Sequence, residues 1–196
     1  ECTFGLPVYR WRPEEEIHEQ INRWWEGNKN AGYGSLIFAY SLGKAQRVLA
    51  GLDASVGPIY AHSAVHPFLE HYQNVGVTLP EVKKIENEKD FSGAMVIAPP
   101  AVEDSSWMRK FHTVKRGFAS GWMAIRGPRR RKNIDRGFVL SDHADWPGLI
   151  DVITGTGAEV VKVTHGNGDA LSQFLVEKGI NASVLNESSF RREEEE

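Results

Sequence analysis

The stretch Leu140-Ser141-Asp142-His143-Ala144-Asp145-Trp146, with Val163-Thr164-His165-Gly166 further on, decides how this chain is read. Each histidine ends an apolar, β-branched run and adjoins a turn signal. Both imidazoles therefore belong at the C-terminal tips of strands. A helix over 147–154 makes the unit a βαβ crossover, whose two strands are expected to be parallel and neighbouring. The two histidines would then enter one crevice at the ligand-binding edge of an open α/β sheet. A metal site or an acid–base site needs that arrangement. The plainer alternative is that each histidine caps its own turn.

Upstream, Pro13 suits a first helical position, and Glu14, Glu15 and Glu16 suit the positive end of a helix dipole. Ile17, Ile21, Trp24 and Trp25 share one face of that helix, and Gly27-Asn28 is its stop. Residues 35–40 read as a buried strand. Ser41-Leu42-Gly43-Lys44 turns it into a helix with Ala45, Val48, Leu49 and Leu52 inward. A strand over 58–61, a helix from Ser63 and a polar irregular stretch over 77–92 follow. Next come a strand over 94–98, a short helix over 107–111, a strand over 117–125 and a basic loop over 127–133. Strands over 136–140 and 158–164 lead into the two histidines. A helix through Leu171, Phe174 and Leu175 and a strand over 182–185 complete the pattern. The alternation predicts an α/β fold with a mostly parallel sheet. The polar, charged composition after 186 predicts a loosely attached tail.

Composition narrows the function classes. In 196 residues, 41% hydrophobic and 25% charged content can bury an ordinary core. The net charge of −3 hides a basic block of Arg126, Arg129, Arg130, Arg131, Lys132 and Arg136. Cys2, the single cysteine, excludes an intrachain disulfide and a thiolate zinc knuckle, and makes a cytoplasmic protein the simple reading. No apolar run reaches the ~20 residues of a membrane span, and no signal peptide is visible. The opening Glu1-Cys2-Thr3-Phe4-Gly5 reads like the middle of a protein, so a processed chain or part of a longer one is expected. His62, His66 and His71 invite a zinc reading, but Pro67 spoils their common helical face, and they are read as surface or helix-start residues.

Glu1 in Glu-Cys-Thr-Phe-Gly, His143 in Ser-Asp-His-Ala-Asp-Trp and His165 in Thr-His-Gly, in that order, resemble the three signature motifs of the β-CASP nucleases. These are metallo-β-lactamase-fold enzymes that cut DNA or RNA. The run from Leu36 to Gln46 resembles the strand–Gly–helix segment that opens the family's inserted domain. Phe118-Ala119-Ser120-Gly121-Trp122-Met123 resembles its Ser-Gly-Met step. The resemblance is strongest to the bacterial ligase-associated DNA exonucleases, also described as mRNA 3′-end processing factor-like exonucleases. Such enzymes carry a His-x-His-x-Asp-His metal motif in an N-terminal half, and this sequence has no His-x-His pair.

The resemblance therefore implies a division into four parts. Residues 1–12 would end the metallo-β-lactamase portion, 13–135 would be the β-CASP domain, 136–186 the returning lactamase segment and 187–196 an acidic flexible tail. It implies a metal-dependent exonuclease acting on DNA in repair or processing, inactive as this portion alone. Its two divalent metals, zinc first and manganese second, would be held mostly by residues of the absent half. His165 would be a metal ligand, and His143 the acid or a phosphate contact. Glu1 would accept a hydrogen bond from His143 and hold its imidazole protonated. The implied partners are nucleic acid (DNA before RNA), the metallo-β-lactamase half and, functionally, an ATP-dependent DNA ligase and a helicase. A membrane is not among them.

Other roles stay open. Asp145 is as good a helix cap as a catalytic group, and Asp142 is undecided. Arg129, Arg130, Arg131 and Lys132 form a candidate phosphate track, with a solvated loop as the rival. Trp122 and Trp107 suit base stacking, though a core role is favoured for each. Lys44 after Gly43 is a candidate phosphate contact at a helix start. The alternatives are a non-catalytic nucleic-acid-binding or RNA 3′-end-processing factor of the same family, and a small-nucleotide-binding α/β protein using the Gly43-Lys44 turn.

Overall fold

The computed structural model describes residues 1–125, 127 and 134–185. The proposed phosphate track and the acidic tail lie outside the described residues. The chain forms two compact units. The larger takes Arg12–Asp142, and the smaller joins Glu1–Trp11 to the segment that begins at His143.

In the larger unit, helix α1 (Glu14–Asn30) begins after Pro13, with three glutamates in its first turn. Ile17, Ile21 and Trp25 are its buried stripe. Trp24 turns aside to meet Phe138 edge-on, ring centroids 5.5 Å apart. Strand β1 (Gly34–Phe38) is buried at every position. Helix α2 (Lys44–Ala50), strand β2 (Ile59–Ala61), helix α3 (Leu69–Asn74) and the edge strand β3 (Lys83–Lys84) follow. Strands β4 (Met95–Ala98), β5 (Val114–Ala119) and β6 (Arg136–Phe138) complete a six-stranded sheet in the order β3-β2-β4-β1-β5-β6. Each neighbouring pair runs parallel.

Both faces of this sheet are covered, which is why its central strands read as unbroken apolar runs. Ile37 and Ala39 point to one face, where Ile21, Val48 and Leu69 bring in the three helices. Leu36 and Phe38 point to the other, against Met108, Phe111 and Phe118.

The smaller unit holds helix α4 (Trp146–Thr156), strand β7 (Val160–Val163), helix α5 (Gly168–Glu177) and strand β8 (Asn181–Val184). Strands β7 and β8 pair in parallel. Cys2, Trp146, Val163, Leu171, Leu175 and Ala182 form its core. The fold is α/β with a parallel sheet, as the alternation predicts. Among the described residues no helix is long and apolar enough to cross a membrane.

Two expectations change. The strands preceding His143 and His165 are not neighbours. Strand β6 is the edge of the large sheet beside β5, and β7 pairs with β8. The crossover helix of β7 is α5, whose Leu171 and Leu175 lie in one cluster with Val163 and Ala182, while α4 sets Trp146 against Phe174. The strand expected over 117–125 starts earlier and ends at Ala119. There the Ser120 side chain accepts the Trp122 N–H and starts a 3-10 turn over Gly121–Ala124. The two compact units divide between Asp142 and His143, and Arg136–Phe138 belongs to the large sheet.

Candidate functional site

Glu1, His143 and His165 all belong to the smaller unit, where the first eleven residues act as a strap. The Cys2 N–H donates to the Thr164 carbonyl (2.9 Å), and the Cys2 thiol to the His165 carbonyl (2.7 Å). The next stretch turns sharply, with the Gly5 N–H on the Cys2 carbonyl. The Trp146 N–H then reaches the Tyr9 carbonyl, and the Trp11 indole N–H the His143 carbonyl (2.9 Å). Asp145 ties the strap to α4. One of its carboxylate oxygens accepts the Gly148 N–H (3.0 Å) as a helix cap, and the other the Trp11 N–H (2.7 Å). Both acceptor atoms of Asp145 thus have structural partners.

The carboxylate of Glu1 and Nδ1 of His143 lie 2.6 Å apart. Partial burial pushes the Glu1 carboxyl up. Hydrogen bonds from the Thr3 hydroxyl, His143 and the Thr3 N–H, together with the His143 charge, outweigh it and hold the group at about 2. An ionised carboxylate only accepts, so Nδ1 carries the hydrogen of this pair. Phe4 sets the ring edge-on, centroids 5.9 Å apart, and itself meets Tyr9 and Trp11 at 4.9 Å.

His165 occupies a left-handed backbone conformation (φ 61°), unusual for a residue with a side chain. Gly166 follows at φ 64°, and a Cβ there would stand 2.3 Å from the Cys2 carbonyl oxygen. The glycine is therefore fixed by close approach of the strap as well as by its torsion. Nδ1 of His165 meets the Thr164 hydroxyl at 3.0 Å. Among the described residues no group of three or more His, Cys, Asp or Glu side chains is arranged to hold a metal ion. This chain's described residues thus offer a metal one imidazole and do not compose a site. What the arrangement does unaided is fix one imidazole against an ionised carboxylate.

Lys44 and Asp142 lie in the larger unit, in a network of ion pairs. The Lys44 ammonium, 3% exposed as a residue, lies 3.3 Å from Asp142 and 4.9 Å from the Tyr40 ring centroid. Arg47 bonds Asp142 (3.0 Å), the Ser141 carbonyl (2.7 Å) and Glu14 (2.7 Å). The Glu14 hydrogen bond pushes the Arg47 guanidinium up, and Arg47 in turn pulls the Glu14 carboxyl down. The charge of Lys44 is thus spent on Asp142. His62 accepts the Ala64 N–H on Nδ1 and lies 4.8 Å from the Trp107 ring; burial pushes its pKa down, with Lys110 adding to it. Trp107 packs on Phe111 at 4.5 Å, as the core reading expects. Trp122 does not fit that reading, being 42% exposed.

Cys2, Thr3, Phe4 and Trp11 also position the histidines; Cys2, Thr3 and Phe4 follow Glu1 directly in sequence, whereas Trp11 carries no such signal, and the contacts of Cys2 and Trp11 span more than a hundred residues of chain.

No protein-family model matches the chain. Over 189 residues, 96% of this chain, it is 28% identical to a protein of Opitutus terrae named "Probable DNA ligase". The chain spans 18% of that relative's length.

Proposed function

We propose that this chain is part of a metal-dependent nuclease that hydrolyses phosphodiester bonds in DNA as an exonuclease of the β-CASP type. What supports the reading is the Glu1–His143 pair, 2.6 Å apart with the carboxylate held ionised, beside a Thr-His-Gly turn that the same strap anchors. His143 would deliver a proton to the leaving oxygen, and Glu1 would stabilise the imidazolium. His165 would contribute one metal ligand, the others coming from a metallo-β-lactamase half outside this sequence. Divalent metals, zinc before manganese, would supply an activated water and charge stabilisation when bound. The similarity to a stretch of a much longer protein named a DNA ligase supports a DNA-related function, with a nuclease joined to a ligase or working beside one.

In the full-length protein, His143→Ala should lower hydrolysis of single-stranded DNA by ~10²–10⁴-fold with metal content unchanged, whereas His165→Ala should lower both. Elemental mass spectrometry and a nuclease assay read the two effects. Full activity in both variants sinks the assignment. A wild-type full-length protein that binds nucleic acid but neither cuts it nor holds metal would establish the non-catalytic reading instead.

A further inference from the structure

Asp142 is the last residue of the larger unit, and His143 is the next in the chain. The chemistry proposed for His143 uses neither Asp142 nor the cations that hold it. Those cations come from α2. Its inner face is fixed in the large core by Ala45, Val48 and Leu49, all wholly buried. Lys44 and Arg47 stand three residues apart on this short helix and are therefore neighbours on its surface.

Arg47 is bonded through all three guanidinium nitrogens. Nε and Nη2 donate to the two carboxylate oxygens of Glu14, at 3.2 and 2.7 Å. Glu14 lies in the first turn of α1, whose Ile17 and Ile21 are buried. Nη1 donates to the Ser141 carbonyl (2.7 Å) and to Oδ1 of Asp142 (3.0 Å). Nζ of Lys44 lies 3.3 Å from Oδ2, so α2 holds both carboxylate oxygens of Asp142. A planar guanidinium that bridges several acceptors fixes direction as well as distance, which a point charge does not. An arginine that only decorates a helix looks different. Arg23 meets Glu19 at 3.6 Å, with the two side chains 70% and 68% exposed.

The backbone carries this order forward. Holding the Ser141 carbonyl fixes the peptide plane that ends at the Asp142 Cα, and holding the Asp142 carboxylate fixes which way that residue turns. One torsion, ψ of Asp142, then separates the held group from the plane that carries the His143 Cα. We infer that Arg47 is a positioning residue for His143, passing the rigidity of the large core through Ser141 and Asp142 to the backbone of the proposed acid. The inference rests on the nuclease reading for the role of His143. Arg47 itself touches no reacting atom in this role.

The test uses the full-length protein and a single-stranded oligothymidylate. Arg47→Met and Arg47→Lys should each lower kcat ~10- to 100-fold, with KM and metal content unchanged. In a His143→Ala background, Arg47→Met should lower kcat no further, because a residue that acts only through His143 has nothing left to place. Arg23→Ala removes a guanidinium elsewhere in the same unit and should match wild type. Circular dichroism checks folding. Arg47→Lys keeps the charge but cannot bridge the three partners, and it carries the test if Arg47→Met does not fold. Wild-type kcat in the Arg47 variants overturns the inference. So does a raised KM with normal kcat, which would make Arg47 a substrate contact. A further loss in the double variant also overturns it, since that marks a merely structural role. The two readings fail distinguishably. Normal cutting by the Arg47 variants beside an impaired His143→Ala removes the positioning role alone. Full activity in His143→Ala removes the acid assignment, and the positioning role falls with it.

Discussion

Strands β1 and β4 are buried at every position, whereas β7 and β8 have one buried residue each. Helix α4 shows the same contrast with α1. Its sequence, Trp-Pro-Gly-Leu-Ile-Asp-Val-Ile-Thr-Gly-Thr, is largely apolar, yet only Trp146 is buried; Val152 is 65% exposed and Val160 of β7 51%. A six-stranded sheet covered on both faces gains its stability from area removed from water. Two strands gain little that way and need outside support. In the smaller unit that support is a set of named contacts from the strap, on Thr164, His165, His143 and Asp145. The residues proposed for chemistry therefore sit where individual hydrogen bonds fix geometry, and the larger unit relies on packing.

Substitutions can break this contrast. The largest stability loss is expected from Ile37→Ala in β1. A fully buried side chain at the centre of both sheet and helix contacts should cost ~2–5 kcal/mol, read by urea unfolding. A loss under about 1 kcal/mol would mean that the large core is loosely packed. Gly166→Ala comes next. The left-handed torsion and the Cys2 carbonyl 2.3 Å away should together cost ~1–3 kcal/mol, and amide exchange should rise in the strap while the large sheet stays protected. Equal loss of protection in both units would show that they unfold together, contradicting separate support.

The smallest effect is acid-dependent. The folded pKa of Glu1 lies at about 2, below its usual 4.5, so its contribution is complete above 4.5 and is lost as pH falls through about 2. Histidine resonances followed by NMR should show the His143 environment change in that interval, with Glu1→Gln removing the change. A His143 signal that ignores the interval in wild type would deny the contact.

Much of the larger unit was legible because its signals are local. Pro13, the three glutamates and the Ile17–Ile21–Trp25 spacing mark α1, and the run Leu36-Ile37-Phe38-Ala39 marks a strand buried on both faces. Asp145 before Trp146-Pro147 marks the α4 cap. Ser120 was misread because a serine inside an apolar run gives no sign that its hydroxyl will take the Trp122 N–H and end the strand. For the candidate site, motif order singled out Glu1, His143 and His165, but nothing local foretold that Thr3 would hold the Glu1 carboxylate or that Trp11 would reach the His143 carbonyl.

The sequence by itself determined the α/β class, the helices and the candidate residues, since periodicity, caps and turn residues act over a few neighbours. Only the tertiary structure decided that β6 and β7 enter different sheets, that Asp142 belongs to Lys44 and Arg47, and that Trp122 faces outward. Those outcomes depend on which edges and charges meet across long stretches of chain, and a strand's own residues do not encode its neighbour.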